Sequence, residues 1–156
     1  MTLSTGDRVE LSDLVARYAL YVDRQDFTAL AGLFTEDAVL VLPDPPKALE
    51  PVLEYSGREE VRKAIGRVEF FPVTSHFLGG QVFDAGPEPG TAVGYVNCAA
   101  NHVSAGTEDT GGRPVDLVWH VRYTDSYRNE EGSWRFARRS LHIDWIETRQ
   151  VRRMRG

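Results

Sequence analysis

The sequence has no surplus of basic residues, no long apolar segment and only one cysteine. Its formal net charge is −5 at pH 7, so little is present to neutralise phosphates, and nucleic acid is not an expected partner. No apolar run approaches the roughly 18 residues that span a bilayer, and residues 1–8 lack the cationic start and apolar stretch of a signal peptide. Because Cys98 alone cannot form an internal disulfide, the sequence fits a reducing compartment. We therefore expect a soluble, cytoplasmic protein without membrane contact.

Length and composition indicate one ordinary globular domain. The chain has 156 residues, of which 42% are hydrophobic and 26% charged. This is enough for one hydrophobic core but short for two. A single domain over residues 1–156 is therefore predicted. The basic segment 149–156 has no apolar periodicity and is expected to be a flexible, solvated tail.

Three segments in the first half of the chain have the apolar spacing of amphipathic helices. The first is predicted over about residues 7–23, with Asp23 at its exit. The second is short, and Asp26 is placed to cap its first free amides. The third is predicted to begin after Ser56, which stands three residues before Glu59 as in a capping box.

After Pro72 the apolar pattern changes from helical to alternating, which is typical of strands. A short strand is expected earlier, over residues 38–42, and the proline-rich stretch after it is predicted to be a loop or an edge excursion. Helices followed by sequential strands indicate an α+β domain. In such a domain three helices cover one face of a strongly curved, mostly antiparallel sheet and leave a concave apolar pocket. The later strands are predicted over residues 73–83, 91–103, 115–128 and 133–146.

Asp23 and His76 are the strongest candidates for chemistry. A carboxylate at a helix end and an imidazole on a strand are the parts of a general base with its orienting partner. Taken alone, Asp23 is more readily explained as an ordinary helix-end carboxylate. Alternation along the strand places Thr74 and Leu78 on the same face as His76.

Alternation along the later strands identifies further candidates. His102 has small neighbours on its own face, which leave it room to point into a cavity. Trp119 and Val121 share an apolar face with Tyr123, so these three are predicted to line the core or the pocket, while His120 lies opposite. The histidines lie on separate strands without the tight spacing of ligands, so no metal is expected.

The last predicted strand contains residues whose direction the sequence leaves open or assigns to the surface. His142 shares a face with Phe136 under strict alternation, but a bulge would reverse its direction. The adjacent Arg138 and Arg139 are expected to be solvated.

Several of these segments resemble segments of a known enzyme family. The run from Tyr21 through Asp23, with the Leu-Phe-Thr-Glu-Asp-Ala motif that follows it, resembles the opening helices of the SnoaL-like group of the nuclear transport factor 2 superfamily. The His-Phe-Leu-Gly-Gly motif at His76, the Val-Gly-Tyr motif before His102 and the Gly-Ser-Trp-Arg-Phe-Ala motif at Gly132 follow the order and spacing of scytalone dehydratase. The similarity covers about residues 11–147.

The resemblance implies a cone-shaped α+β barrel with an apolar cavity and no cofactor, often assembled as a homodimer or homotrimer. It also implies that Asp23 orients His76 as the catalytic histidine and that His102 is a second cavity histidine. This sequence departs from the family where the two water-holding tyrosines are replaced by Val22 and Pro43.

The family's substrate-binding asparagine aligns with Tyr123, so scytalone itself is not the expected substrate. Tyr18 matches a tyrosine of bile-acid dehydratases and a lysine of the dehydrochlorinase in the same superfamily. The proton donor of an elimination is therefore left open among Tyr18, Tyr123 and His102.

The sequence and the resemblance together predict a cofactor-independent dehydratase with His76 as general base. Its substrate is expected to be a small apolar polyketide-, aromatic- or steroid-like carbonyl compound. An isomerase or cyclase using the same site is an alternative, since both begin with the same proton abstraction, and so is a non-catalytic ligand-binding protein or an oxygenase small-subunit-like scaffold. The residues expected to form the apolar lining are Phe77, Leu78, Trp119 and Val121.

Overall fold

A computed structural model describes residues 2–152 of the chain. Within this range it contains three α-helices, two short 3-10 helices and one set of paired strands. The prediction of three helices and of four long carboxyl-terminal strands is confirmed. The α-helices are α1 (Thr5–Asp23), α2 (Phe27–Ala31) and α3 (Arg58–Gly66), and the 3-10 helices are Arg67–Phe70 and Glu108–Thr110. The strands are β1 (Phe34–Asp44), β2 (Ala48–Ser56), β3 (Val73–Ala85), β4 (Thr91–Val103), β5 (Val115–Glu130) and β6 (Ser133–Gln150).

The strands form one six-stranded sheet in the order β2-β1-β6-β5-β4-β3. Neighbouring strands are antiparallel except β1 and β6, which run parallel. In the described part of the chain the sheet curls without closing, because β2 and β3 remain its two edges. Helix α1 packs on β3 and β6, so the helices cover the concave face. The α+β fold with a strongly curved sheet is confirmed.

Helix α1 begins earlier than the apolar spacing predicts. Ser4 is its N-cap: the Ser4 hydroxyl accepts the Asp7 backbone N–H at 3.1 Å, and the Asp7 carboxylate accepts the Ser4 N–H at 2.9 Å. This is a capping box, with aspartate in the position that glutamate usually takes. The Trp134 indole also donates to Asp7, at 2.9 Å, so the cap ties the helix to β6.

The capping box predicted at Ser56 is wrong. Ser56 is the last residue of β2, paired with Val39 of β1, so its backbone is occupied by the sheet. The N-cap of α3 is Gly57, which has a φ of 91° and provides no side-chain cap. A glycine is needed there because the turn from strand to helix requires the left-handed region.

We expect Ser4→Ala to destabilise the protein by about 1 kcal/mol, because it leaves amides of the first turn of α1 without an acceptor. The matched control is Ser56→Ala, which should change stability by less than about 0.5 kcal/mol since Ser56 caps no helix. Urea unfolding followed by circular dichroism measures both. Equal losses for the two variants would contradict the assignment.

The proline-rich stretch after residue 42 forms an edge of the sheet rather than a loop. Strand β1 extends to Asp44 and turns into β2, which contains Pro51 and pairs with β1 alone. Proline is tolerated there because an edge strand has one side without ladder hydrogen bonds. Of the two predicted alternatives, the edge excursion is the one observed.

A register shift between β5 and β6 decides which side chains of β6 face inwards. Tyr127 pairs with Phe136, but the preceding Ser126 pairs with Arg138, so β6 contains one extra residue. Because of this bulge, Phe136 and Arg139 are both fully buried, although strict alternation would place them on opposite faces. The expectation that Arg139 is solvated is wrong, whereas Arg138 is exposed.

The outer face of the sheet carries the two histidines that were not predicted in the pocket. His142 is partly exposed between two buried neighbours, Leu141 and Ile143, so it points away from the core. The ring of His120 stacks on Trp145 with centroids 4.0 Å apart. Both histidines therefore lie on the side of the sheet opposite the helices.

The carboxyl-terminal segment is more ordered than predicted at its start. β6 continues to Gln150, so Arg149 and Gln150 belong to a strand and not to a flexible tail. Residues 153–156 of the predicted tail lie outside the described residues. Among the helices within residues 2–152, none is both long and apolar enough to cross a bilayer.

Candidate functional site

A cavity of about 200 Å³ lies between the helices and the concave face of the sheet. Helices α1 and α3 and the 3-10 helix after α3 form one wall, and strands β1 and β3 to β6 form the other. The lining is mostly apolar, and its polar side chains include those of His76, His102, Tyr18, Tyr123 and Arg67. Such an enclosure favours apolar ligands that are oriented by a few polar contacts. Apolar lining residues include Val22, Ile65, Val68, Trp119, Val121 and Leu141.

The Asp23 carboxylate, at the last residue of α1, is held by three donors from β3. Its Oδ1 lies 2.7 Å from His76 Nδ1 and accepts the Thr74 hydroxyl at 3.0 Å. Its Oδ2 accepts the His76 backbone N–H at 2.9 Å. Because an ionised carboxylate can only accept, Nδ1 carries the proton, and in the neutral ring Nε2 has a free lone pair. The structure thus brings Asp23 and His76 together at the cavity wall.

Asp23 is ionised at neutral pH in this setting. Burial would raise the pKa of its carboxyl, but the hydrogen bonds from His76 and Thr74 outweigh burial and leave the pKa below its usual value. The His76 side chain is only 7% exposed, so it has little room to rotate. An ionised acceptor and a confined ring keep the imidazole in one tautomer and one orientation.

His102 lies beside His76, with ring centroids 6.0 Å apart. Its Nδ1 is 3.0 Å from the Leu117 carbonyl oxygen, which can only accept, so Nδ1 carries a proton. Burial lowers the pKa of His102 and keeps the ring neutral at pH 7. In the neutral ring Nε2 is then an acceptor. This geometry favours His102 as a hydrogen-bond acceptor for a ligand and not as its proton donor.

Tyr18 and Tyr123 supply phenol groups to the cavity lining. Their rings meet edge to face with centroids 6.0 Å apart. Burial raises the pKa of Tyr18 to about 12, against the opposing effect of the Arg139 charge. Burial also raises the pKa of Tyr123 well above its usual value. Both therefore stay protonated at pH 7 and can donate hydrogen bonds to a ligand oxygen.

Arg139 lies directly behind these two tyrosines and was missed by the sequence analysis. The carbon of its guanidinium is 4.2 Å from the Tyr18 ring centroid and 3.8 Å from that of Tyr123. Its Nε and Nη2 donate to the two oxygens of Asp125 at 2.9 and 3.0 Å. Asp125 also accepts the Tyr127 hydroxyl at 2.8 Å. No pattern in the sequence signals this pair, because the bulge in β6 creates it.

Two of the predicted lining residues do not reach the cavity. Phe77 is 75% exposed, since it follows His76 on β3 and points to the opposite face. Leu78 packs against the edge of the core but does not border the cavity. Conversely, the cavity is bordered by Arg67 and Phe71, next to the 3-10 helix that follows α3. Neither residue lies on the apolar stripe of Val61, Ala64, Ile65 and Val68, so periodicity gave no signal.

Within residues 2–152, no group of three or more histidine, cysteine, aspartate or glutamate side chains is arranged to hold a metal ion. Cys98 is buried, and burial raises the pKa of its thiol to about 11. It therefore stays a neutral thiol at neutral pH.

Comparisons with known proteins agree with this architecture. A candidate scytalone dehydratase from Novosphingobium aromaticivorans shares 24% identity, with a TM-score of 0.76 and a match covering 94% of this chain and 89% of that chain. A candidate aromatic ring hydroxylase from the same species shares 24% identity, with a TM-score of 0.74 and 96% of both chains covered. A hexachlorocyclohexane dehydrochlorinase from Novosphingobium barchaimii shares 16% identity, with a TM-score of 0.71 and 92% and 90% covered. These likenesses show the fold.

Comparison with curated protein sequences gives no significant match. The family model of the SnoaL-like domain matches residues 4–140, most of the chain and every part of it that borders the cavity except Leu141. The chain belongs to the SnoaL-like domain family.

Proposed function

We propose that this protein is a cofactor-independent dehydratase for a small apolar carbonyl compound, with His76 as general base and Asp23 as its orienting partner. The observation that carries the proposal is the 2.7 Å contact between Asp23 Oδ1 and His76 Nδ1 at the wall of an apolar cavity. A base held by a carboxylate in this way is the arrangement that general-base catalysis needs. The mostly apolar lining of the cavity strengthens electrostatic interactions with a bound ligand.

The residues support a simple sequence of proton movements. His76 Nε2 removes a proton from the carbon next to the substrate carbonyl, and the electron pair moves onto the carbonyl oxygen. A phenol of Tyr18 or Tyr123 donates a hydrogen bond to that oxygen as it becomes negative. When the electrons return, the bond from the β-carbon to its hydroxyl breaks, and the His76 imidazolium returns its proton to the departing oxygen. One water leaves and His76 is neutral again, so the cycle balances without a cofactor.

Similarity to a candidate dehydratase and to a dehydrochlorinase supports elimination chemistry, since both reactions break a bond at the carbon next to the one that loses a proton.

The volume of the cavity limits the size of the substrate. An engineered cavity of about 150 Å³ holds benzene in another protein, so a cavity of about 200 Å³ fits a compound with one or two rings. We propose such a substrate in place of the steroid-like compounds that the sequence also allowed.

The test is hydrogen exchange at carbon in D₂O, followed by NMR, with a panel of one- and two-ring β-hydroxy ketones and of the corresponding β,γ-unsaturated ketones. We expect deuterium to enter the position next to the carbonyl and water to be lost from the β-hydroxyl compounds. Deuterium exchange with a shifted double bond and no loss of water would instead support the isomerase alternative. Saturable binding without exchange for every compound would support a ligand-binding protein and overturn the proposal.

A further inference from the structure

Arg139 is a buried cation that does not border the cavity but contacts two residues that do. Its guanidinium stands over the ring faces of Tyr18 and Tyr123, and the phenols rather than the guanidinium line the cavity. We infer that Arg139 is a positioning residue that acts through Tyr18. By its charge it strengthens the Tyr18 hydroxyl as a hydrogen-bond donor to a carbonyl or phenolic oxygen of the ligand. The inference rests on the proposed function for the identity of the ligand oxygen.

Arg139 cannot serve the ligand directly. Its side chain is fully buried, and two of its three nitrogens are held by Asp125. The third, Nη1, is buried and has no hydrogen-bond partner within the described part of the chain. A buried guanidinium with an unused donor costs free energy, which other contacts of the charge must offset. Through its contacts with the tyrosine ring faces, the charge of Arg139 can affect the two phenols that border the cavity.

The direction of the effect follows from electrostatics. A cation over an aromatic face withdraws electron density from the ring, and this interaction is strong where water is excluded. Burial raises the pKa of Tyr18 most, the Arg139 charge lowers it, and the Asp125 charge raises it by a smaller amount. A hydroxyl made more acidic in this way donates a stronger hydrogen bond to an oxygen that becomes negative. The other titratable groups around the pair are Tyr123, Tyr127 and Cys98, all protonated at neutral pH.

Binding of 4-nitrophenol tests the inference without turnover. Its ionised form absorbs at longer wavelength than its neutral form, so the apparent pKa of the bound probe reports how strongly the cavity stabilises an oxygen anion. All proteins carry His76→Ala, so that the imidazole cannot accept the proton. We compare this parent with Asp125→Asn/Arg139→Gln, which removes both charges and keeps amide hydrogen bonds, and with Arg138→Gln as the exposed neighbouring control.

We expect the parent to bind the ionised probe about tenfold more strongly, relative to the neutral form, than the Asp125→Asn/Arg139→Gln protein does. Arg138→Gln should leave this ratio unchanged. Adding Tyr18→Phe to the parent should abolish the preference. Where the double change prevents folding, Asp125→Asn alone tests the same electrostatics: removing the charge that opposes Arg139 should increase the preference for the ionised probe, and a decrease would overturn the inference. A preference that survives Tyr18→Phe, equal ratios in the parent and the Asp125→Asn/Arg139→Gln protein, or no saturable binding would each overturn the inference. Probe binding requires neither turnover nor His76. A negative result would therefore not contradict the proposal that His76 is the general base. Conversely, an absence of deuterium exchange in D₂O would not affect the probe measurement.

Discussion

Replacing Asp23 with asparagine is expected to slow proton abstraction by about 10² to 10⁴-fold, as much as replacing His76 with alanine. The two residues work as a unit, so the double variant should be no slower than either single variant. The rate of deuterium exchange next to the carbonyl measures all three proteins.

The expectation follows from the three hydrogen bonds that the Asp23 carboxylate accepts. An asparagine offers one acceptor oxygen and one NH₂ group. The His76 backbone N–H can only donate, so the amide oxygen should turn towards it and the NH₂ group towards Nδ1. Nδ1 must then accept, and the ring proton moves to Nε2, the nitrogen that has to act as base. The variant should fold normally but hold the imidazole in the wrong tautomer.

Asp13→Asn is the matched control for this experiment. Asp13 lies on the same helix and pairs at the surface with Arg17, away from the cavity, so its change should leave the exchange rate within about twofold of the wild type. His142→Ala plays the same part for His76, because His142 lies on the outer face of the sheet. If Asp23→Asn exchanges as fast as these controls, Asp23 does not orient the base.

Arg139→Leu is expected to destabilise the protein by about 3–5 kcal/mol. The change leaves the Asp125 carboxylate fully buried without its cation, and the Tyr127 hydroxyl is its one remaining side-chain partner among residues 2–152. Breaking one side of a buried ion pair costs far more than breaking a surface pair, because the remaining charge stays out of water. For a domain whose total stability is about 5–15 kcal/mol, this is a large fraction.

The neighbouring Arg138→Leu provides the control. Arg138 forms a 3.4 Å surface pair with Glu54, and its loss should cost less than about 1 kcal/mol. Urea unfolding measures the free energy of unfolding of both variants and of Asp125→Asn/Arg139→Gln. The paired change should lower it less than Arg139→Leu does, because it leaves no unpaired buried charge. Equal stability of Arg138→Leu and Arg139→Leu would show that the bulge does not place Arg139 in the core.

The sequence predicted the larger elements well because their apolar spacing extends over many residues. The stripe of α1 and the alternation of β4 are examples, and both put buried side chains where they were expected. The pairing of Asp23 with His76 could be predicted because both residues lie in motifs that resemble those of one family. Periodicity alone gives no distance between residues 53 positions apart.

Features that depend on one residue of register could not be predicted. The extra residue in β6 reverses the direction of Arg139, and no composition or turn signal marks it. Ser56 has capping spacing, but its backbone is already paired with Val39, a contact that only the folded sheet reveals. Phe77 is apolar and adjacent to His76, yet strand alternation turns it to solvent. In the first two cases a tertiary contact overrules a local pattern. The outward direction of Phe77 instead follows from the same strand alternation that places Thr74 and Leu78 with His76.

Because of the bulge in β6, the charge next to the cavity depends on the number of residues in this segment of the strand as well as on their identity. A chain one residue shorter at this point could retain the same arginine and the same two tyrosines, but its guanidinium would meet solvent and the phenols would rest against a different neighbour. Matching amino acids column by column would overlook the difference. Counting residues between Tyr127 and Arg139 would detect it.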